Sequence, residues 1–256
     1  MADASKRAFL DANVLRGSLQ TDVLLTLAFR EEFQPRWNAE VLDEVRRNRP
    51  PKLSEAAMDK RLAQMNEAFP QALVEGYEHL EPDMQADPKD KHVLAAAVAS
   101  ESTVLVTENV KDFNPPTTGP HAMPVQRLSK FLSDLTRENP ARMVAAMREM
   151  IGRNERDPNT LPALIDRMAK LQDLKGFAQA LNAEVPENER GTTLPPPQQV
   201  AAQQQVEAAV DPELAATNAV AFDGVPGAGT KAPDRQGTEQ KAQTAARTPE
   251  TPERER

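Results

Sequence analysis

The segment DPKDKHVLAAAVASESTVLVTENVKDF (residues 87–113) sets a helix directly before a strand. Asp87 stands where a helix cap belongs, and Pro88 falls in the first turn, where a missing backbone N–H costs nothing. Val93, Leu94, Ala97 and Val98 then recur at helical spacing. Thr103 to Thr107 (TVLVT) is β-branched and continuously apolar, the pattern of a parallel strand covered on both faces.

Upstream of this unit, Lys6 to Asp11 reads as a short buried strand that stops at Asp11-Ala12-Asn13. Asp22 to Phe29 has helical spacing. Asn38 is placed to cap AEVLDEVRRN, whose Val41, Leu42 and Val45 share one face, and Pro50-Pro51 close that helix. Ser54 to Phe69 is an amphipathic helix with Ala57, Leu62, Met65 and Phe69 as its apolar positions, and Leu73 to Tyr77 reads as a short strand. Downstream, Val125 to Leu128 gives a last, shorter strand. Strands alternating with helices define an α/β layer fold with a mostly parallel central sheet.

From Ser129 the pattern is helical only, through SKFLSDLTR, PARMVAAMREMIGR, TLPALIDRMAKLQ and LKGFAQALN. From Pro186 to Arg256 there are 9 prolines and one aromatic, Phe222, too little apolar surface to offset the entropy of ordering. The expected organisation is an α/β domain over 1–135, a helical annex over 136–185 and a disordered tail over 186–256.

The 256-residue chain has no cysteine and a formal charge of −8. Thiolate metal sites and disulfides are thereby excluded, and a general basic footprint for nucleic acid is absent. With no long apolar run and no basic-then-apolar leader, the chain reads as cytoplasmic and independent of membranes. The densest basic run is Arg46, Arg47, Arg49 and Lys52, either a set of phosphate contacts or a solvated helix end.

In parallel α/β sheets, ligands gather at the carboxyl ends of the strands. Asp11 closes the first strand there, while Glu108-Asn109 and Asp112 follow TVLVT. Asp90 lies in the first turn of the helix that precedes TVLVT, and Glu44 on an earlier helix. If their loops converge, Asp11, Glu44, Asp90 and Asp112 bring four carboxylates to one pocket. Such a cluster invites a hard cation, Mg²⁺ or Mn²⁺, which could activate water against a phosphodiester. Each acid also has a structural reading: Asp90 as the capping-box partner of Asp87, Glu44 as a solvated acid beside Arg47 or Asn48, Asp112 as a turn residue. Trp37 reads as core, and His92 as a helix-surface residue.

The motifs FLDANVL (9–15), TDVLLTLA (21–28), WNAEVLDEV (37–45), DPKDKHVLAAAV (87–98) and LVTENVKDF (105–113) occur in one order that resembles PIN-domain ribonucleases. The likeness is to the branch of VapC-like toxins carrying a helical C-terminal extension. It implies a PIN-like three-layer fold and a Mg²⁺-dependent (or Mn²⁺-dependent) endoribonuclease. Asp11 and Asp90 would be the principal metal ligands and Glu44 a third acid. Asn109 stands where many members have an acid, which leaves Asp112 as the nearby carboxylate. Asn13 and Thr107, with Asn109, would orient the acids. Arg46, Arg47 and Arg49 are the candidate RNA contacts.

The resemblance also implies a VapB-like antitoxin that reaches the acids with an arginine or lysine, and a homodimer. The apolar residues at Leu24–Phe29 and Val41–Val45 either receive that antitoxin or fill the domain's own core. Two other readings stay open. One is a non-catalytic interaction module; the other is a haloacid-dehalogenase-type phosphatase, which requires a second aspartate where this chain has Asn13.

Overall fold

The structure, a computed structural model, describes residues 6–195 apart from Thr118 and Pro120. The chain opens with β1 (Arg7–Leu10), a one-turn α1 (Ala12–Leu15) and α2 (Ser18–Phe29). Next come β2 (Gln34–Arg36), α3 (Ala39–Arg47) and α4 (Glu55–Ala68). A 3-10 turn at Pro88–Asp90 leads into α5 (Lys91–Ala99), followed by β3 (Val104–Val106) and β4 (Val125–Gln126). The annex is α6 (Leu128–Glu138), α7 (Pro140–Gly152), α8 (Leu161–Ala169) and α9 (Lys175–Glu184).

The four strands pair in the order β2-β1-β3-β4, every pair parallel. Leu10 lies opposite Val106 in the β1–β3 register, so the two central strands end side by side. This is also where the strand order reverses, the position at which parallel α/β sheets open a crevice. Phe9, Leu10, Leu105 and Val106 are fully buried, which accounts for the absence of polar alternation in both strands. Among the described helices none is long and apolar enough to cross a membrane.

The α/β architecture with a helical annex is as expected, and local differences have local causes. The sequence reading missed β2 because Gln-Pro-Arg carries no strand signal. Its proline is tolerated because β2 is the edge of the sheet. Leu73–Tyr77 is no strand; it makes a single bridge from Leu73 to Trp37. In α4 Ala57 is exposed and Met58 takes its place in the core, with Leu62 and Met65. Leu24, Leu27, Val41 and Val45 are buried in the domain's own core, so they form no docking face, and Phe29 alone remains exposed there.

The annex does not stand apart. The boundary expected near residue 135 falls inside α6, whose Phe131 meets Phe33 edge-on at 5.1 Å. Methionines of α7 (Met143, Met147 and Met150) belong to the same continuous core as β1. Polar links run alongside: Arg142 Nε to Glu32 at 2.6 Å, and Arg153 to Thr26 Oγ1 at 2.7 Å.

The expected start of the tail at Pro186 moves as well. Gly191 N donates to Asn182 Oδ1 at 2.8 Å, and Thr193 N donates to Asp166 Oδ1 at 2.8 Å. The approach is close enough to require glycine: a Cβ on Gly191 would lie 2.6 Å from Ile165 Cγ2. Residues 186–195 therefore finish the annex, and the remainder of the expected tail, 196–256, lies outside the described residues.

Candidate active site

Asp11 ends β1 and is 7% exposed. Its backbone N–H continues the ladder to Val106 O at 3.1 Å, which fixes the side chain beside the end of β3. Asp11 Oδ1 then accepts from Ala12 N at 2.6 Å, capping α1. Oδ2 accepts from Thr107 Oγ1 at 2.6 Å and from Asn13 Nδ2 at 2.7 Å. Asn13 is itself held, donating to Thr107 Oγ1 and accepting from Glu108 N, both at 3.0 Å. Thr107 Oγ1 also accepts from Asn109 N at 3.0 Å. Asn13 and Thr107 thus orient the carboxylate through their side chains, while Asn109 contributes its backbone. Burial nevertheless pushes the Asp11 carboxyl above its ordinary range, against those hydrogen bonds, and the Glu44 charge pushes the same way.

Asp90 closes the 3-10 turn ahead of α5. Asp87 does the capping, accepting from Lys89 N at 3.3 Å, and the Asp90 side chain caps nothing. Its Oδ2 is buried without a hydrogen-bond donor, the nearest cation being Lys89 Nζ at 3.7 Å. The Asp90 carboxyl is pushed up by burial, with the charges of Asp11, Asp112 and Asp87 adding to it.

One cleft of about 390 Å³ is lined by Asp11, Asn13, Glu44, Asp90 and Asn109. Glu44 projects from α3, with Oε1 3.3 Å from His92 Nε2. Asp112 is outside the lining, although its charge reaches Asp90. Glu108 turns away to accept from Leu128 N at 3.1 Å, capping α6. Among the described residues, no three carboxylates or imidazoles close into a ready-made metal cage. The donor set is an open one. Asp11 and Asp90 could supply hard oxygen ligands, and burial raises the pKa of both carboxyls even with Lys89 3.7 Å from Asp90, which suits an oxygen-seeking divalent ion.

Of the candidate RNA contacts only Arg47 lines the cleft. Arg46 is held between Asp43 and Asp59, at 2.6 and 2.7 Å. Arg49 turns back to Leu53 O at 3.2 Å. The sequence reading missed Arg16 and Lys89, which also line the cleft. Arg16 could have been found: one short helix places it four residues after Ala12, on the face that follows Asp11. His92 was read as a surface residue, but its side chain is only 12% exposed. Its partners come from α3, a contact that spacing along α5 does not encode. Trp37 is core as expected, with Nε1 donating to Asn66 at 2.8 Å.

A parallel sheet in the order 2-1-3-4, with one aspartate at the end of a central strand and another at the start of the helix leading into the next, is the arrangement of a PIN domain, and residues 7–111 match the model of that family, described as PIN domain. Residues 130–183 match the model described as VapC50 C-terminal domain, which covers the four-helix annex. Between them the two matches span more than half of the chain, which is therefore a VapC-like PIN-domain protein with a C-terminal extension. At the level of that family it is a toxin-type nuclease. No curated protein and no solved structure gives a significant match.

Proposed function

We propose that the chain is a divalent-metal-dependent endoribonuclease, using Mg²⁺ or Mn²⁺, and the cytoplasmic toxin of a VapBC-type pair. The observation that carries this reading is Asp90 Oδ2, buried, without a hydrogen-bond donor, and in the same cleft as the buried carboxyl of Asp11. Two largely buried carboxylates whose pKa values stay raised despite Lys89 at 3.7 Å favour a further cation over any neutral occupant.

Asp11 and Asp90 would hold the ion, with Glu44 as a third acid on the cleft wall. Bound there, the ion supplies charge neutralisation and Lewis acidity toward a phosphodiester. The chain's own groups do the rest. Thr107 and Asn13 keep Asp11 in one rotamer, so no reorganisation is needed on binding. Arg16 and Arg47 meet the phosphates flanking the scissile bond, with Lys89 on the same wall. Asn109 sits at the exposed rim as a neutral hydrogen-bonding group, and Asp112 acts only through its charge on Asp90.

The same acids suit an arginine from a VapB-like antitoxin, whose planar fork can bind both oxygens of a carboxylate. Because the α2 and α3 apolar residues are already buried, that partner meets the cleft rather than a hydrophobic groove there. Homodimerisation is carried over from the family on the same footing.

The test is cleavage of single-stranded RNA, and of a small phosphate ester, with Mg²⁺, with Mn²⁺ and in EDTA. RNA should be cut with either ion and left intact in chelator. Undiminished cleavage in EDTA would overturn the mechanism. Hydrolysis of the ester alone would mean a phosphatase, and inertness toward both substrates an interaction module.

A further inference from the structure

Glu44 is the one acid of the cleft that is carried on a regular helix, and its carboxylate needs a fixed direction to face the ion site. The cap of that helix supplies it. Asn38, fully buried, caps α3 by accepting from Val41 N at Oδ1, 2.9 Å away. That bond settles which end of the amide is oxygen, so Nδ2 must point the other way. There it meets His92 Nδ1 at 3.1 Å and donates to His92 O at 3.2 Å. An N–H facing Nδ1 requires that nitrogen to be the acceptor, because a proton on Nδ1 would oppose the Asn38 proton. The ring hydrogen is therefore on Nε2, the nitrogen 3.3 Å from Glu44 Oε1.

We infer that Asn38 and His92 form a positioning relay for Glu44: the helix cap fixes the amide, the amide fixes the imidazole tautomer, and the Nε2–H dipole, 3.3 Å away, draws the Glu44 carboxylate electrostatically into one direction. His92 is a positioning residue, acting through Glu44 without touching substrate. The inference deepens the nuclease reading and rests on it for its effect on activity, whereas the tautomer itself is independent of any reaction.

The full-length chain, labelled with ¹⁵N at histidine, tests the tautomer directly. His92 should show a protonated, pyrrole-type Nε2 and a pyridine-type Nδ1, with or without metal. Asn38→Ser keeps a side-chain oxygen for the cap but cannot reach the ring, so His92 should then show both tautomers in exchange. A protonated Nδ1 in the wild-type chain would overturn the inference.

On the activity side, His92→Phe fills the space without a donor and should lower cleavage 10- to 100-fold, the usual cost of losing a ligand's outer partner. His92→Gln can donate to Glu44 and accept from Asn38, and should recover to within about threefold of wild type. In the Glu44→Gln background, His92→Phe should cost nothing further. Equal losses for His92→Phe and His92→Gln, or full additivity with Glu44→Gln, would mean that the ring is packing alone. A wild-type chain with the expected tautomer but no cleavage of RNA would overturn the nuclease reading and leave the tautomer assignment standing.

Discussion

Asp166, on α8 of the annex, accepts from Thr192 Oγ1, Thr193 N and Thr193 Oγ1 at 2.7 to 2.8 Å. Asp90, at the cleft, has one oxygen buried with no donor at all. Both have a cation as chain neighbour, Arg167 and Lys89, so nothing in their immediate sequence separates them. Desolvation pushes the Asp166 carboxyl up, but its hydrogen bonds from Thr192 and Thr193 together outweigh it and hold it down at about 2. Burial and three nearby carboxylates push that of Asp90 up. The annex spends its acids on closing a turn, whereas the cleft keeps them available. A buried carboxylate oxygen left without a hydrogen-bond donor is the feature expected of a ligand site, and it is found at the cleft and not at Asp166.

The sharpest way to break this contrast is to neutralise each acid in turn. Asp90→Asn and Asp11→Asn should each lower RNA cleavage by more than about 100-fold, exceeding the cost of losing an outer-shell partner. Asp166→Asn should leave cleavage within about twofold, since its partners are all in the annex. In a metal-free thermal melt the order reverses: Asp90→Asn should raise the midpoint and Asp166→Asn lower it. Mg²⁺ at one hundred times its dissociation constant should add about 2.7 kcal/mol to the wild-type chain and far less to Asp90→Asn. If Asp90→Asn retains activity, or proves less stable without metal, the orphaned oxygen is not a ligand.

A smaller effect tests where the annex ends. A chain stopping at residue 195 should unfold like the full-length protein. One stopping at residue 185 loses the donors to Asp166 and the Gly191 N–H that satisfies buried Asn182, and should be about 1–3 kcal/mol less stable in urea. Equal stability of the two would mean that residues 186–195 only rest on α8.

How much of this was legible in the sequence follows the range of the interactions. β1, β3, α3 with its Asn38 cap and the four annex helices are written in periodicity and caps within one segment, and all were read. β2 was lost because an edge strand of three residues is made by its neighbour's ladder, with no pattern of its own. In the candidate site, Asp11 and Asp90 could be named because a strand end and a helix start are local features. The His92–Glu44 approach joins two helices 48 positions apart in the chain, and the turning away of Arg46 toward Asp59 depends on how α3 meets α4. Residues 186–195 misled for a related reason: proline-rich and polar, they order only because Asp166 and Asn182 wait for them.

The smallest effect expected is also the one that isolates the electrostatics. For Asp166 the folded pKa, about 2, lies below the unfolded 3.8, so its stabilisation is present above pH 4 and is lost as pH falls through that window. Because the group is partly solvated, screening reduces this to roughly 1 kcal/mol. For Asp90 the folded pKa lies above 3.8, so the folded chain binds the extra proton and stability declines as pH rises from 3.8 through the raised value. Urea unfolding in EDTA, between pH 3 and 7, should therefore show opposite slopes. Asp166→Asn should differ from wild type mainly at the upper end of the range, being less stable, with the gap closing toward pH 3. Asp90→Asn should also differ most at the upper end, but as the more stable chain, and converge with wild type as acid neutralises the wild-type carboxyl. Added Mg²⁺ should erase the Asp90 difference near neutral pH and leave the Asp166 difference untouched. Parallel curves for the two variants would mean that both acids do the same structural work, and the distinction between cleft and annex would fail.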